Sequence, residues 1–179
     1  SIFEDTNLTS FIINDNNRYY ETNSDGSFLL SDDETVIIFG ATGKDFGDLV
    51  IDSKYQEIGS AAFSGAKIKS LTITNNKTII HDFAFANCEE LEIINLPSES
   101  GMEIKQHAFN YAKGLNSVNN LEYVKLVGDY AFANTSLRNV TIGSDATYGE
   151  GAFFKSYLET VTIGENTSNT TSTIFCVGN

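Results

Sequence analysis

The dipeptide Ala-Phe recurs along this chain at almost constant intervals, and this recurrence constrains the fold more than any other feature of the sequence. Successive Phe residues of these dipeptides are 22, 24, 23 and 21 positions apart. The five copies are Ala62-Phe63, Ala84-Phe85, Ala108-Phe109, Ala131-Phe132 and Ala152-Phe153. Apolar residues also recur at fixed offsets before and after each Phe. Agreement at several offsets identifies a repeat protein, whose units must stack because one unit alone cannot bury its apolar face.

Each unit contains one short segment with the pattern of a β-strand. In the first unit, Leu71 and Ile73 alternate with Ser70, Thr72 and Thr74. Alternation with a period of two, together with β-branched residues, favours a strand. Equivalent strands in successive units would stack into a parallel sheet along a solenoid. We therefore predict that the aliphatic side chains and the Phe rings fill the interior, while the hydroxyl side chains face outward.

Three of the units resemble a known repeat family. The blocks Ile58-Gly-Ser-Ala-Ala-Phe63, Ile80-His-Asp-Phe-Ala-Phe85 and Val127-Gly-Asp-Tyr-Ala-Phe132 are similar to the BspA-like leucine-rich repeat, and the resemblance extends over residues 58–164. It implies an α/β-type leucine-rich repeat solenoid, with one short parallel strand per repeat of about 22 residues and turns or short helices on the other side. Proteins of this family are exported surface proteins implicated in adhesion to host proteins or to other cells. The resemblance thus implies an extracellular or cell-surface location and a protein partner.

The chain before residue 58 fits the repeat less well. Phe28–Leu30 and Val36–Phe39 flank the charged turn Ser31–Glu34, which predicts an N-terminal β-hairpin insertion. Such a hairpin could cap the open end of a solenoid, where strand edges and core are otherwise exposed. Leu8–Asn14 resembles the strand of an earlier repeat, and Leu49–Ile51 is predicted to return the chain to the sheet.

The predicted organisation is a single solenoid domain over residues 1–179. Residues 1–57 hold an N-terminal repeat and the capping hairpin, and residues 58–164 hold five repeats. Residues 165–179 are either the start of a sixth repeat or the C-terminal end of the coil. Phe175 favours a sixth repeat because it follows Phe153 by 22 residues, although Ile174 stands where the other units have Ala.

The charge of the chain excludes several classes of partner. There are 11 Lys and Arg against 24 Asp and Glu, a net charge of −13, of which the first 57 residues carry −9. Nucleic acids and anionic membranes are bound by clustered Lys and Arg, so we predict neither partner. The longest apolar runs resemble Val36–Phe39, far short of the ~20 residues of a transmembrane helix. The start, Ser1–Glu4, also lacks the pattern of a signal peptide.

No motif in the chain predicts catalysis, a metal or a cofactor. A P-loop, a dinucleotide fingerprint and a Gly-x-Ser-x-Gly elbow are all missing from the sequence, which leaves open only a triad that assembles in three dimensions. His81 and His107 stand at different offsets from their Phe, which argues against a shared metal site. The spacing in Asn23–Gly26 fits a turn better than a calcium loop. Cys88 and Cys176 lie four repeats apart, about 19 Å, which disfavours a disulfide. We predict a non-enzymatic protein.

The outward positions of the predicted strands form two columns of candidate binding residues. The first column contains Ser70, Ile93, Ser117, Asn139 and Thr160, and the second contains Thr72, Asn95, Asn119, Thr141 and Thr162. Hydroxyl and amide groups suit hydrogen bonding to peptide or glycan, although Thr is also common on exposed strands without any function. We expect an adhesion module that binds protein. The alternatives are a carbohydrate-binding surface of a nutrient-capture protein and a structural spacer in a longer surface protein.

Overall fold

A computed structural model describes residues 2–3, 6–143 and 145–164 of the chain. These residues form short strands joined by tight turns, with one 3-10 helix (Leu121–Tyr123). The strands are β1 (Tyr20–Thr22), β2 (Phe28–Ser31), β3 (Val36–Gly40), β4 (Asp45–Ile51), β5 (Glu57–Ile58), β6 (Lys67–Ile73), β7 (Ile79–Ile80), β8 (Ile93–Asn95), β9 (Glu103–Ile104), β10 (Ser117–Asn119), β11 (Leu126–Val127), β12 (Asn139–Ile142), β13 (Thr147–Tyr148) and β14 (Thr160–Ile163).

The strands build two parallel ladders that run along a solenoid, as the repeat predicts. The longer strands β4, β6, β8 and β10 form one sheet, and β12 pairs with β14 in the same parallel sense. The two-residue strands β5, β7, β9, β11 and β13 form a second ladder. Each repeat therefore contributes two strands where the sequence pattern predicts one. The second was missed because two residues are too few to show an alternation.

The N-terminal hairpin is present and is continuous with the second ladder. β2 and β3 pair antiparallel, as predicted, and β3 then pairs parallel with β5. The prediction of a strand over Leu8–Asn14 is wrong, because this segment is irregular and makes isolated hydrogen bonds. The Phe11 amide donates to the Gly26 carbonyl (2.7 Å), and the Gly43 amide donates to the Leu8 carbonyl (2.8 Å). The prediction for Leu49–Ile51 is confirmed: it ends β4, which pairs with β6.

The core is organised around a ladder of stacked Phe rings. The centroids of Phe63, Phe85, Phe109, Phe132 and Phe153 follow one another at 5.2, 5.3, 5.2 and 5.7 Å, with interplanar angles between 2° and 8°. The first four rings are fully buried. Burying each ring contributes about 1.5–3 kcal/mol, so the ladder is a principal source of cohesion between repeats. The predicted stacking is confirmed.

The side of the solenoid that carries the Ala-Phe turns, which we call the return face, is held together by its own backbone hydrogen bonds. The amides of the first four ladder Phe residues each donate to the Ala carbonyl of the next repeat, as from Phe85 to Ala108 (2.8 Å) and from Phe109 to Ala131 (2.8 Å). Each of these five repeats has two residues with positive φ, between 54° and 73°. One stands two positions before the ladder Phe and the other two positions after it. They are Ala61, Phe83, His107, Tyr130 and Gly151 before it, and Gly65, Asn87, Tyr111, Asn134 and Lys155 after it. The return face is thus a regular surface made of turns.

The sheet of longer strands is interrupted between β10 and β12. Asn120 adopts a left-handed conformation (φ 66°), and the 3-10 helix follows it directly. The Asn120 amide Nδ2 donates to the Leu96 carbonyl (2.7 Å), which ties this departure to the preceding repeat. Asn120 stands where the neighbouring repeats have an inward aliphatic residue. A polar side chain cannot be buried there without a partner, so the chain leaves the strand geometry at this point.

Residues 165–179, predicted to be either the start of a sixth repeat or the C-terminal end of the coil, lie outside the residues that the structure describes. The domain boundaries of the sequence analysis therefore stay predictions. Across residues 2–3, 6–143 and 145–164, no helix is long and apolar enough to cross a membrane.

Candidate interaction surface

The structure brings six of the ten predicted binding residues together on one sheet, whose outward side we call the strand face. Register pairs Ser70 with Ile93 and Ile93 with Ser117, which forms the first column. Thr72, Asn95 and Asn119 form the second column in the same way. The strand face also extends one repeat further toward the N-terminus than predicted, because β4 places Asp48 beside Ser70 and Val50 beside Thr72.

The side chains of the strand face are hydrogen-bonded to one another from strand to strand. The Ser70 hydroxyl donates to Asp48 Oδ1 (2.7 Å), and Asn119 Nδ2 donates to Asn95 Oδ1 (2.8 Å). Asn95 Nδ2 lies 3.4 Å from Thr72 Oγ1 and donates to it. This polar ladder fixes the orientation of amide and hydroxyl groups before any ligand arrives.

The other four predicted residues lie on a separate pair of strands. Asn139 pairs with Thr160, and Thr141 pairs with Thr162, in the β12–β14 sheet. β10 and β12 are neighbours without a strand ladder between them. The Ser136 amide still donates to the Leu115 carbonyl (2.9 Å), which keeps adjacent repeats in contact before β12. The ten residues therefore form two patches instead of one continuous surface.

The strand face is nearly neutral at its centre. Arg138 and Glu159 form an exposed ion pair beside the separate β12–β14 strands. Exposed ion pairs contribute little to stability, so this pair mainly shapes the surface. At the N-terminal end of the strand face Val50 is 57% exposed. The strand face thus offers hydrogen-bonding groups in the middle and an apolar side chain at its N-terminal end.

The N-terminal oxygen donors support their own turns. Asn23 Oδ1 accepts from the Phe28 amide (2.8 Å), and Asp25 Oδ1 accepts from the Ser27 amide (3.0 Å). Lys44 Nζ donates to Asp25 Oδ2 (2.5 Å). This bond to Lys44, with those from Ser27, holds the pKa of Asp25 well below its ordinary value. These contacts fit the turn interpretation of Asn23–Gly26.

The histidines and the described cysteine occupy unrelated places. His81 Nε2 lies 2.8 Å from Glu57 Oε2, while the His107 ring stacks between Phe83 and Tyr130. Cys88 is fully buried, which raises the pKa of its thiol to about 12, and Cys176 lies outside the described residues. Within the described part of the chain, no three His, Cys, Asp or Glu side chains come together to hold a metal ion.

A set of exposed aromatic side chains on the return face was not predicted from the sequence. Phe83, Tyr111 and Phe154 are 42%, 46% and 50% exposed, and Tyr157 is 65% exposed. Phe83 and Tyr111 occupy positions with positive φ, two before and two after a ladder Phe. The sequence does contain one indication of these positions. Other repeats have Gly or Asn there, such as Gly151, and these residues favour a left-handed backbone.

Parallel ladders with one longer strand per repeat, stacked over a column of buried Phe rings, define a leucine-rich repeat solenoid. The family model of the BspA type leucine rich repeat region matches residues 41–159 in 6 copies. The chain belongs to this family.

Solved structures share the fold. A T. pallidum leucine rich repeat protein is 23% identical with a TM-score of 0.63, covering 84% of this chain and 71% of its own. The pneumococcal vaccine antigen PcpA is 21% identical with a TM-score of 0.69, covering 90% of this chain and 40% of its own. A leucine-rich repeat protein from Eubacterium ventriosum is 15% identical with a TM-score of 0.52, and the match covers 88% of this chain and 55% of that protein. The chain thus spans about half the length of the latter two. The search of curated proteins gave no match.

Proposed function

We propose that this chain is a non-enzymatic binding module of a cell-surface or secreted protein, and that its strand face binds a protein partner. Membership of the BspA-type family supports a role in interaction. The shared fold with a pneumococcal vaccine antigen supports a surface location, because a vaccine antigen must be accessible to antibody.

The observation that carries the proposal is the hydrogen-bonded ladder of the strand face. Asn119 is bonded to Asn95, and Asn95 to Thr72, so these side chains lose little freedom when a partner binds. Ordering flexible side chains costs about 0.5–1.5 kcal/mol each, and a pre-ordered surface avoids much of that cost. Exposed Val50 lies at the edge of the ladder, where it adds an apolar contact. Protein interfaces combine direct hydrogen bonds with apolar contacts, and this surface offers both.

Two charge substitutions at the centre of the ladder test the location. Thr72→Lys with Asn95→Lys is compared with Asn16→Lys and Thr147→Lys, which add the same charge at exposed sites off the strand face. Binding to a panel of immobilised extracellular matrix proteins is measured by interferometry. We expect the ladder variant to lose about tenfold or more in affinity while the control binds like the wild type. Equal binding by all three proteins would exclude the strand face.

A second candidate, glycan binding, is favoured by one cleft on the return face. Tyr111 and Tyr157 line a cavity of about 340 Å³ together with Asn134, Ser136 and Lys155. Exposed rings beside amide and hydroxyl groups suit a sugar, which stacks on the ring and hydrogen-bonds at its rim. A glycan array with the wild type and with Tyr111→Ala and Tyr157→Ala decides this candidate. Hits that the double variant loses would support it, and an array without hits would remove it.

A further inference from the structure

The return face carries a continuous stripe of aromatic side chains, Phe83, His107, Tyr130 and Phe154, which we call the aromatic stripe. The centroids of Phe83 and His107 are 4.7 Å apart and those of His107 and Tyr130 are 5.3 Å apart, with rings parallel to within 8°. Phe154 meets Tyr130 edge-on at 5.9 Å. The stripe is distinct from the buried Phe ladder, and its two end residues are 42% and 50% exposed.

The backbone of the aromatic stripe is in a conformation that bulky residues avoid. Phe83, His107 and Tyr130 have φ values of 59°, 55° and 54°. Left-handed backbone is disfavoured by about 1–2 kcal/mol for residues other than Gly, Asn and Asp. Three successive repeats nevertheless place a ring there. Strain that recurs in this way is a reason to look for a function at the site.

A row of acidic side chains accompanies the aromatic stripe. Asp82 precedes Phe83, Asp129 precedes Tyr130, and Glu150 precedes Gly151, which stands at the equivalent position of the next repeat. In the repeat between Asp82 and Asp129 the same place is taken by Gln106, whose Nε2 donates to Asp82 Oδ2 (3.3 Å). The Tyr130 hydroxyl donates to Glu150 Oε1 (3.3 Å). The negative charge of Glu150, with a smaller contribution from Asp129, raises the pKa of the Tyr130 phenol above its ordinary value. The stripe therefore lies in a region of negative potential.

We propose that the aromatic stripe and its acidic row bind an extended segment of a protein partner in which single arginines or lysines are separated by pairs of apolar residues. The stacked rings cover one another's faces, so the stripe presents mainly ring edges, which suit apolar contacts better than sugar stacking. The carboxylates select for cations. At the end of the stripe, Lys155 Nζ already lies 5.3 Å from the Phe154 centroid, which shows that this surface accommodates a cation.

The spacing of the acidic row defines the segment further. Asp82 and Asp129 belong to repeats separated by two stripe steps, of 4.7 and 5.3 Å. This separation of about 10 Å corresponds to one turn of a polyproline II segment, which has three residues per turn and rises about 3.1 Å per residue. Residues three apart then lie on the same side of the segment, so basic side chains at this spacing would face both carboxylates, with apolar residues between them. A second copy of this chain is disfavoured because each copy carries a net charge of −13. The surface is separate from the strand face, so the two proposals stand or fall independently.

The test uses a fluorescein-labelled peptide in which single arginines alternate with pairs of leucines. Two control peptides replace the arginines by glutamates or the leucines by serines.

The stripe variant is Phe83→Asn with Tyr130→Asn, because Asn tolerates the left-handed backbone and the fold is retained. The charge variant is Asp82→Asn with Asp129→Asn and Glu150→Gln. The matched control, Ile12→Asn with Tyr19→Asn, removes two exposed apolar side chains from the N-terminal segment, away from both faces. Circular dichroism confirms the fold of each protein, and fluorescence anisotropy measures binding.

We expect saturable binding of the arginine–leucine peptide to the wild type and to the matched control. The stripe variant and the charge variant should each lose about tenfold or more in affinity. Both control peptides should bind weakly, and added salt should lower the affinity of the arginine–leucine peptide. The proposal is overturned if this peptide does not bind, if either variant binds like the wild type, or if the glutamate peptide binds equally well. Stripe-dependent binding to phosphatidylcholine vesicles in place of the peptide, or stripe-dependent dimerisation, would also overturn it.

Discussion

The strand face and the return face of this solenoid are built on similar backbone ladders but carry opposite chemistry. On the strand face, alternation sends every second side chain outward, and those side chains are mainly neutral amides and hydroxyls such as Asn95 and Asn119. On the return face, left-handed turns send out aromatic rings such as Phe83 and Tyr130, with carboxylates beside them. The buried core, with the Phe ladder and the inward aliphatic side chains, lies between the two faces.

This difference shows how one repeat offers two independent surfaces. The strand backbone directs every second side chain outward whatever its identity, so these outward positions accept many residue types. Turn side chains occupy positions that favour Gly or Asn, so a large ring at such a position is unexpected on conformational grounds alone. Substitutions at outward strand positions therefore change the polarity of the strand face at little conformational cost. Each ring on the return face, in contrast, costs backbone conformational energy.

The largest expected effect comes from the ladder that both faces share. Phe109→Ala removes a fully buried ring from the middle of the stack and should lower the free energy of unfolding by about 3–5 kcal/mol. Phe83→Ala, on the aromatic stripe, should lower it by about 1 kcal/mol because the side chain is 42% exposed. Urea unfolding followed by circular dichroism measures both. Equal losses would mean that the aromatic stripe contributes to the core, and the distinction between the two sets of rings would fail.

A smaller effect is expected from the glycines of the return face. Gly151 has φ +57°, and a Cβ there would lie 2.6 Å from Cε1 of Tyr130. Gly65 has φ +73°, but nothing lies within 4 Å of its Cβ position. Gly65→Ala should therefore cost about 1 kcal/mol from backbone strain alone. Gly151→Ala should cost more, up to about 2 kcal/mol, because the ring must also move. A Gly65 variant as unstable as the Gly151 variant would show that Tyr130 does not pack where the structure places it.

The same contrast explains what could be predicted from the sequence. The parallel solenoid, the inward Leu71 and Ile73, and the stacked rings follow from periodicity, because a repeated apolar offset has to fill a repeated interior. The β12–β14 patch is separate because of one polar residue, Asn120, whose effect on the following strand is not evident from pattern alone. The aromatic stripe was missed because its rings have no strand or helix periodicity, only a fixed distance from a turn.

A further test concerns the polar ladder of the strand face. Asn119→Ala removes the donor to Asn95 Oδ1, and a double-mutant cycle of Asn95→Ala with Asn119→Ala isolates the interaction between them. We expect a coupling of about 0.2–1 kcal/mol, as for other cross-strand pairs. Asn116→Ala combined with Asn95→Ala serves as the control, because Asn116 donates to the carbonyl of Gly114 in its own repeat. A coupling no larger than the control would mean that the strand face is not pre-ordered, which would weaken its assignment as the protein-binding surface.

The smallest effect distinguishes the electrostatic potential of the two faces. The carboxylate of Glu150 disfavours the phenolate of Tyr130, which raises the pKa of that phenol above its ordinary value of 10.0. Glu150→Gln removes this negative charge, so the pKa of Tyr130 should fall toward its ordinary value. Asp48→Asn removes a carboxylate from the strand face instead and should leave Tyr130 unchanged. Titration of carbon-labelled tyrosine rings by NMR, with Tyr130 assigned from a Tyr130→Phe variant, measures the shift. If Asp48→Asn lowered this pKa as much as Glu150→Gln, the negative potential would belong to the whole molecule. The acidic row would then attract a basic segment no more strongly than the rest of the surface does.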